Sequence, residues 1–174
     1  IKGILPLEED EVLLAISEEI PHFTSFLNNH SILKILPIVQ ILLGCEETVV
    51  RESTIIGLKK IIPSLSNEQV QTEIIPMILQ IAENPMFQTK VSSCYLIRVV
   101  YPKAGNHKDK LKELYFKLCD DDTPIIKRTA AKEFGQFCLV LEKETVHSEM
   151  VNYYKKFMTE SDSVRVTILP SLVQ

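Results

Sequence analysis

The chain has 174 residues, of which 45% are apolar and 24% charged, with five glycines and a formal net charge of −4. That is material for one ordinary domain or for about four to five repeats of the ~40-residue class. No run approaches the ~18 apolar residues that a membrane span requires, no basic–apolar–cleavage pattern opens the chain, and the acidic balance gives no support to nucleic-acid binding.

Ile1 to Leu7 reads as the remnant of a helix, followed by the acidic turn Glu8-Glu9-Asp10-Glu11. Val12 to Leu27 is predicted as the next helix, with Val12, Ile16, Ile20 and Phe23 buried and Pro21 bending or ending it. Asn28-Asn29-His30 connects to Ser31–Leu43, a stretch so apolar that it must be covered on several sides. Glu46-Glu47-Thr48 then turns into a helix over Val49–Ile62. Ser66 with Gln69 is a capping-box pattern opening a helix that reaches Ala82. Glu83 to Phe87 turns, and Thr89–Tyr101 is helical. Pro102–Asn106 connects to a Lys-rich helix, His107–Leu118, with Leu111, Leu114, Tyr115 and Leu118 inward.

The run from Asp120 to Pro124 is a helix start. Asp122 or Thr123 can cap the free N–H groups, Pro124 suits the first helical position, and the acids favour the positive end of the helix dipole. This helix is predicted to reach Leu141 and to bury Ile126, Ala130, Ala131, Phe134 and Phe137. Thr145 is expected to cap a helix reaching Met158, Glu160–Ser163 turns, and Val164 begins a last helix. Apolar residues recur at three and four, not at two, so no strand is expected.

The acidic turn that launches a helix recurs. With Lys127 as anchor, equivalent positions fall at Leu13, Arg51, Lys90 and Arg165, a recurring step of about 38 residues. The residue before each anchor is Val12, Val50, Thr89, Ile126 or Val164, and the seventh after it is Ile20, Leu58, Ile97, Phe134 or Leu172. This period is the signature of stacked helix pairs. The fold class is therefore all-α: an α-α superhelix of about four to five antiparallel pairs, in approximate repeats 1–29, 30–65, 66–104, 105–143 and 144–174.

The four cysteines have no metal-ligand or redox-motif spacing. They read as reduced structural thiols, with Cys94 and Cys138 on apolar faces and Cys45 and Cys119 where a first helix meets its turn. His22, His30, His107 and His147 are spread over connectors and helix starts and read as surface residues. No nucleophile elbow, phosphate-binding glycine loop or His–Glu zinc motif occurs, so no cofactor, metal or catalytic residue is expected.

Because each repeat is displaced from the last by a nearly constant rotation, the turns inside the repeats fall on one edge. The candidate protein-binding residues are the turn residues Glu46, Glu47, Thr48 and Arg51; Met86 and Phe87; Asp121, Asp122, Thr123, Pro124, Lys127 and Arg128; and Asp162, Ser163 and Arg165. Met86 and Phe87 are apolar in a turn, and serve either as a hydrophobic anchor for a partner or, for Phe87, as a residue tucked under its own helix. Arg51, Lys127 and Arg165 can bond the acidic turn of a neighbouring repeat, which leaves Arg128 as the better candidate for partner contact. The acids at 120–122 serve mainly capping and solvation.

Pro37 and Pro76 fall inside first helices, each at the same offset ahead of its anchor, a register that suggests a built-in bend of the kind found in HEAT repeats. Pro6 stands much nearer to Val12, so that first helix is short or a piece is missing there. The series Glu8 to Ala15, Glu46 to Arg51, Cys119 to Pro124, Lys127-Arg128, Gly135 and Asp162 to Arg165 resembles the scaffold (A, regulatory) subunit family of protein phosphatase 2A, over essentially the whole chain and in unbroken order. The resemblance implies a horseshoe of fifteen repeats, of which this chain would be roughly the second to sixth. It implies a non-catalytic scaffold whose ridge of turns holds regulatory (B-type) subunits, with the catalytic subunit held by repeats outside this chain, and a cytoplasmic location with a nuclear one left open. Met86 stands where the family often has Trp, and Lys127-Arg128 where it has an Arg pair; Lys keeps the charge but loses the planar fork for carboxylates. Another HEAT-repeat binding protein, such as a nuclear transport receptor or coat adaptor, is the alternative.

Overall fold

The computed structural model describes residues 9–22 and 33–173, and among them nine helices and no strand occur. Helix α1 (Asp10–Glu19) closes in a 3₁₀ turn, Ile20–His22. Helix α2 (Leu36–Leu43) is entered through the 3₁₀ turn Leu33–Ile35, and α3 covers Thr48–Ile61. Helix α4 runs without a break from a first turn Asn67–Gln69 through a π turn, Val70–Ile74, to Ile75–Ala82. Then come α5 (Phe87–Val100), α6 (Lys108–Cys119) and α7 (Pro124–Cys138). Helix α8 joins Lys143–Thr145, a π turn Val146–Met150 and Val151–Phe157, and α9 covers Asp162–Ile168.

These helices form two columns. The first helices α2, α4, α6 and α8 each pack on the second helix of their own pair, and the second helices pack in series, α1 on α3, α3 on α5, α5 on α7 and α7 on α9. The sequence register explains the seam. Val50, Thr89, Ile126 and Val164 are buried at one end of the second helices, and Ile20, Leu58, Ile97 and Phe134 two turns further on. One core runs the length of the stack. Its middle is aromatic: Phe137 meets Tyr115 at 4.4 Å and the edge of Tyr101 at 5.4 Å, and Phe134 meets Phe157 at 5.6 Å. Each such ring removed from water contributes roughly 1.5–3 kcal/mol before entropy is subtracted. Among the described residues every buried side-chain polar atom is hydrogen-bonded.

Several boundaries differ from the sequence reading, each for a local reason. Val12 is 42% exposed and Ile16 half-buried, with Leu13 and Ser17 buried in their place; Ile20 is buried as expected against α3, where Gly57 lets it approach so closely that a Cβ would lie 3.0 Å from it. Helix α5 starts at Phe87 because Asn84 Oδ1 accepts the Met86 N–H and closes the turn two residues early. Neither Asp122 nor Thr123 caps α7 with its side chain; Asp121 Oδ1 accepts the Thr123 N–H. Helix α7 stops at Cys138, where three-residue turn bonds carry the chain through Leu141. Thr145 lies inside the first turn of α8, whose N-cap is Glu142. The capping box of Ser66 and Gln69 is present in both directions, at 2.9 and 3.1 Å. Pro37 and Pro76 each sit at the start of an α segment, directly after the 3₁₀ turn of α2 and the π turn of α4, so their missing N–H falls where the helical ladder already changes step. Ile1–Leu7, Phe23 and Asn28-Asn29-His30 lie outside the described residues.

Candidate functional site

The four intra-repeat turns, 44–47, 83–86, 120–123 and 158–161, lie along one edge, and contacts between successive repeats fix them there. Gly44 sits against Thr89 so tightly that a Cβ would come within 3.1 Å of its methyl group. Asp10, the turn from Gly44 to Glu47, and Met86 line one open groove between the first repeats. Lys90 reaches forward to Asp121 at 2.9 Å, and Lys127 to Glu160 at 2.8 Å. Burial alone would raise the Asp121 carboxyl, but the Thr123 N–H and the Lys90 ammonium outweigh it and hold the carboxyl below its ordinary value.

Within this edge the candidate residues divide. Arg51 is 7% exposed and turned inward: it donates to the carbonyls of Cys45 and Glu46, both at 2.6 Å, and to Thr48 Oγ1 at 2.9 Å. It holds its own turn rather than a neighbour's. Lys127 is half-buried in its bridge, and Arg165 pairs with Asp162 of its own turn. Glu46, Glu47, Thr48, Asp122, Pro124, Arg128, Asp162 and Ser163 are exposed, and Thr123 is half-buried. Met86 is 43% and Phe87 44% exposed, so Phe87 does not tuck under its helix. Arg128 forms no ion pair among the described residues. Together these make a ridge of alternating sign with an apolar step in the second turn.

All four cysteines are free thiols; Cys94 and Cys119 are buried, Cys45 and Cys138 half-buried. Burial pushes the Cys138 thiol up to about 11, that of Cys94 higher still and that of Cys119 well above its ordinary value, so these three stay protonated and inert. Among the described residues no group of His, Cys, Asp and Glu is arranged to hold a metal ion, and no helix is long and apolar enough to cross a membrane.

Sequence reasoning missed the continuation of the ridge onto the exposed face of the second-helix column. There Glu52, Val91, Tyr95 and Lys132 join Phe87 and Arg128 around a groove that crosses α3, α5, α7 and α9. Glu52, Val91 and Arg128 share one register position and Tyr95 and Lys132 another, one helical turn on, a signal that the period itself carries.

Two columns of helices in register, with their short turns gathered on one edge, define an α-α superhelix of the HEAT-repeat class, a fold that presents extended surfaces. No family model matches the chain. It is 35% identical over 173 residues to a probable serine/threonine-protein phosphatase PP2A regulatory subunit of Caenorhabditis elegans, covering 95% of this chain and 29% of that protein. It is 37% identical over 147 residues to the protein phosphatase 2A scaffold subunit of Dictyostelium discoideum, covering 83% and 25%. With the serine/threonine-protein phosphatase PP2A 65 kDa regulatory subunit of Drosophila melanogaster it shares 32% over 139 residues, covering 79% and 24%. The chain belongs to the family of phosphatase 2A scaffold (regulatory A) subunits. It spans less than a third of the length of these curated relatives.

Proposed function

We infer that this chain is a segment of the non-catalytic scaffold of a serine/threonine protein phosphatase 2A, and that its ridge of intra-repeat turns binds B-type regulatory subunits. The catalytic subunit is held by repeats outside this chain, and the assembly works in the cytoplasm, with a nuclear location left open. The observation that carries this reading is the ridge: four turns on one edge, held by Lys90–Asp121 and Lys127–Glu160, with Met86, Phe87, Asp122 and Arg128 left facing outward. Structural work at this edge is done by buried or paired groups, so the exposed ones are available to a partner. An apolar pair flanked by charges of both signs matches an interface with a desolvated anchor and a polar rim. The names of the relatives support the scaffold role.

The test is capture of purified regulatory subunits of each class by the immobilised chain. At least one class is expected to bind, and Phe87→Asp combined with Arg128→Glu to abolish capture without changing the helical content by circular dichroism. Failure of every class to bind would remove the reading.

A further inference from the structure

On the exposed face of the second-helix column, away from the turns, the ring of Tyr95 lies between two ammonium groups. Lys59 of α3 stands 5.2 Å from the ring centroid and Lys132 of α7 5.5 Å, with Lys132 Nζ at 3.5 Å from the Tyr95 hydroxyl. The carboxylate that acts on Lys59, Glu133, is already bonded to Arg98 at 2.7 Å. Neither Lys59 nor Lys132 forms an ion pair among the described residues. Lys59 is half-buried, and burial, the largest influence, lowers its pKa; Glu133 opposes this, while Arg98 and Lys132 add to it. Three cations therefore share one committed carboxylate, so a half-buried surface carries uncompensated positive charge. Next to it, Val91 and the exposed Phe87 supply an apolar floor, and Glu52 stands at the α3 side of the groove.

We propose that this groove, which adjoins the ridge of turns at Phe87 and Arg128 and is centred on Tyr95, is a second docking surface, for an acidic segment of a partner protein. Its carboxylates meet Lys59 and Lys132 on either side of Tyr95, and an aliphatic or aromatic side chain rests on Val91 and Phe87. The charge excess selects the occupant: an anionic peptide gains two ammonium partners, whereas a basic one would add to the repulsion that Lys59 already feels. Glu52 gives the groove a direction: it stands two helical turns before Lys59 on α3, nearer the turns, where it repels carboxylates and so places the acidic part of the segment at the Lys59–Tyr95–Lys132 end. The cation–ring contacts hold both lysines in place before binding, which lowers the ordering cost.

The probe is a fluorescein-labelled peptide of alternating glutamate and leucine, titrated into the whole chain and read by anisotropy, then joined by carbodiimide, which forms amide bonds between touching carboxylates and amines. Saturable binding is expected, weakened about tenfold by Lys132→Glu, equivalent to about 1.4 kcal/mol, and several-fold by Lys132→Gln, which keeps the fold if the reversal does not. Ridge variant Met86→Asp should leave it unchanged, and the cross-links should fall on Lys59 and Lys132. Binding insensitive to both Lys132 variants, cross-links spread evenly over the other lysines, or stronger binding of a glutamine-for-glutamate peptide, an oligonucleotide or inositol hexakisphosphate would each overturn the proposal.

Discussion

The two edges of this stack use their polar groups in opposite ways. At the edge where one repeat passes to the next, Lys103 donates to the carbonyls of Ile62, Pro63 and Leu65 at 3.2, 2.7 and 2.6 Å, finishing the end of the α3 segment from a full repeat away. Gln71 returns a bond to the Lys103 carbonyl at 2.9 Å, beside Gly105, whose φ of +52° turns the chain where a side chain would be strained and would strike Gln71. Further along, Glu142 accepts from Tyr101 and Lys108. That edge is bonded to itself. The turn edge is bridged between its later repeats by Lys90–Asp121, Lys127–Glu160 and Lys156–Asp120, and leaves its apolar tips and part of its charge in solvent. The comparison teaches that a regular array can be stiffened along one rim while the other is left open to solvent.

The contrast can be broken in order of expected effect. Arg98→Ala strands the buried Glu133 carboxylate between α5 and α7, and should cost about 3 kcal/mol in urea unfolding. Lys103→Ala removes three charge-assisted bonds from carbonyls that are in part open to water, and should cost about 2 kcal/mol. Glu142 offers a pH handle. The Lys108 ammonium, above all, holds its carboxyl down from an ordinary 4.5 to about 2. A depressed carboxylate stabilises above its unfolded value, so this contribution is intact above pH 4.5 and fades as pH falls toward 2. Both partners are about two-fifths exposed, which keeps the effect under about 1 kcal/mol, and Glu142→Gln should flatten it in acid titrations followed by circular dichroism. At the open rim, Phe87→Asp should move stability by no more than about 0.5 kcal/mol while removing partner capture. A loss of several kcal/mol there would mean the rim is structural after all.

Much of the architecture was legible because a solenoid repeats its own rules. The burial of Val50, Ile126, Leu58 and Phe134 follows from register alone, and Ile126, Ala130, Ala131, Phe134 and Phe137 form the buried face of α7 as expected. What escaped was decided by single contacts. Nothing in the order of residues announces that Asn84 closes a turn on Met86, or that Asp121 rather than its neighbours holds the Thr123 N–H. Leu139 to Leu141 read as helix because they are apolar, yet turn bonds replace the α ladder there. Of the basic anchors, Lys127 bonds the next turn as expected, while Arg51 bonds its own; choosing between these needs distances. The period aligns the members of the Tyr95–Lys132 groove, but which of those aligned positions close around a groove is decided only when the helices stack.

The π turns have a consequence for the evolution of length. They recur at Val70–Ile74 and Val146–Met150, in first helices that are longer than the unbroken α6 between them. A π turn takes up a surplus residue by widening one coil, so a first helix can gain or lose a residue while the bend that follows it still arrives beside its neighbours. Unequal spacings between successive anchors thus deliver the same outline, with slack stored in the outer layer, much as a hem lets cloth be altered without moving the seam.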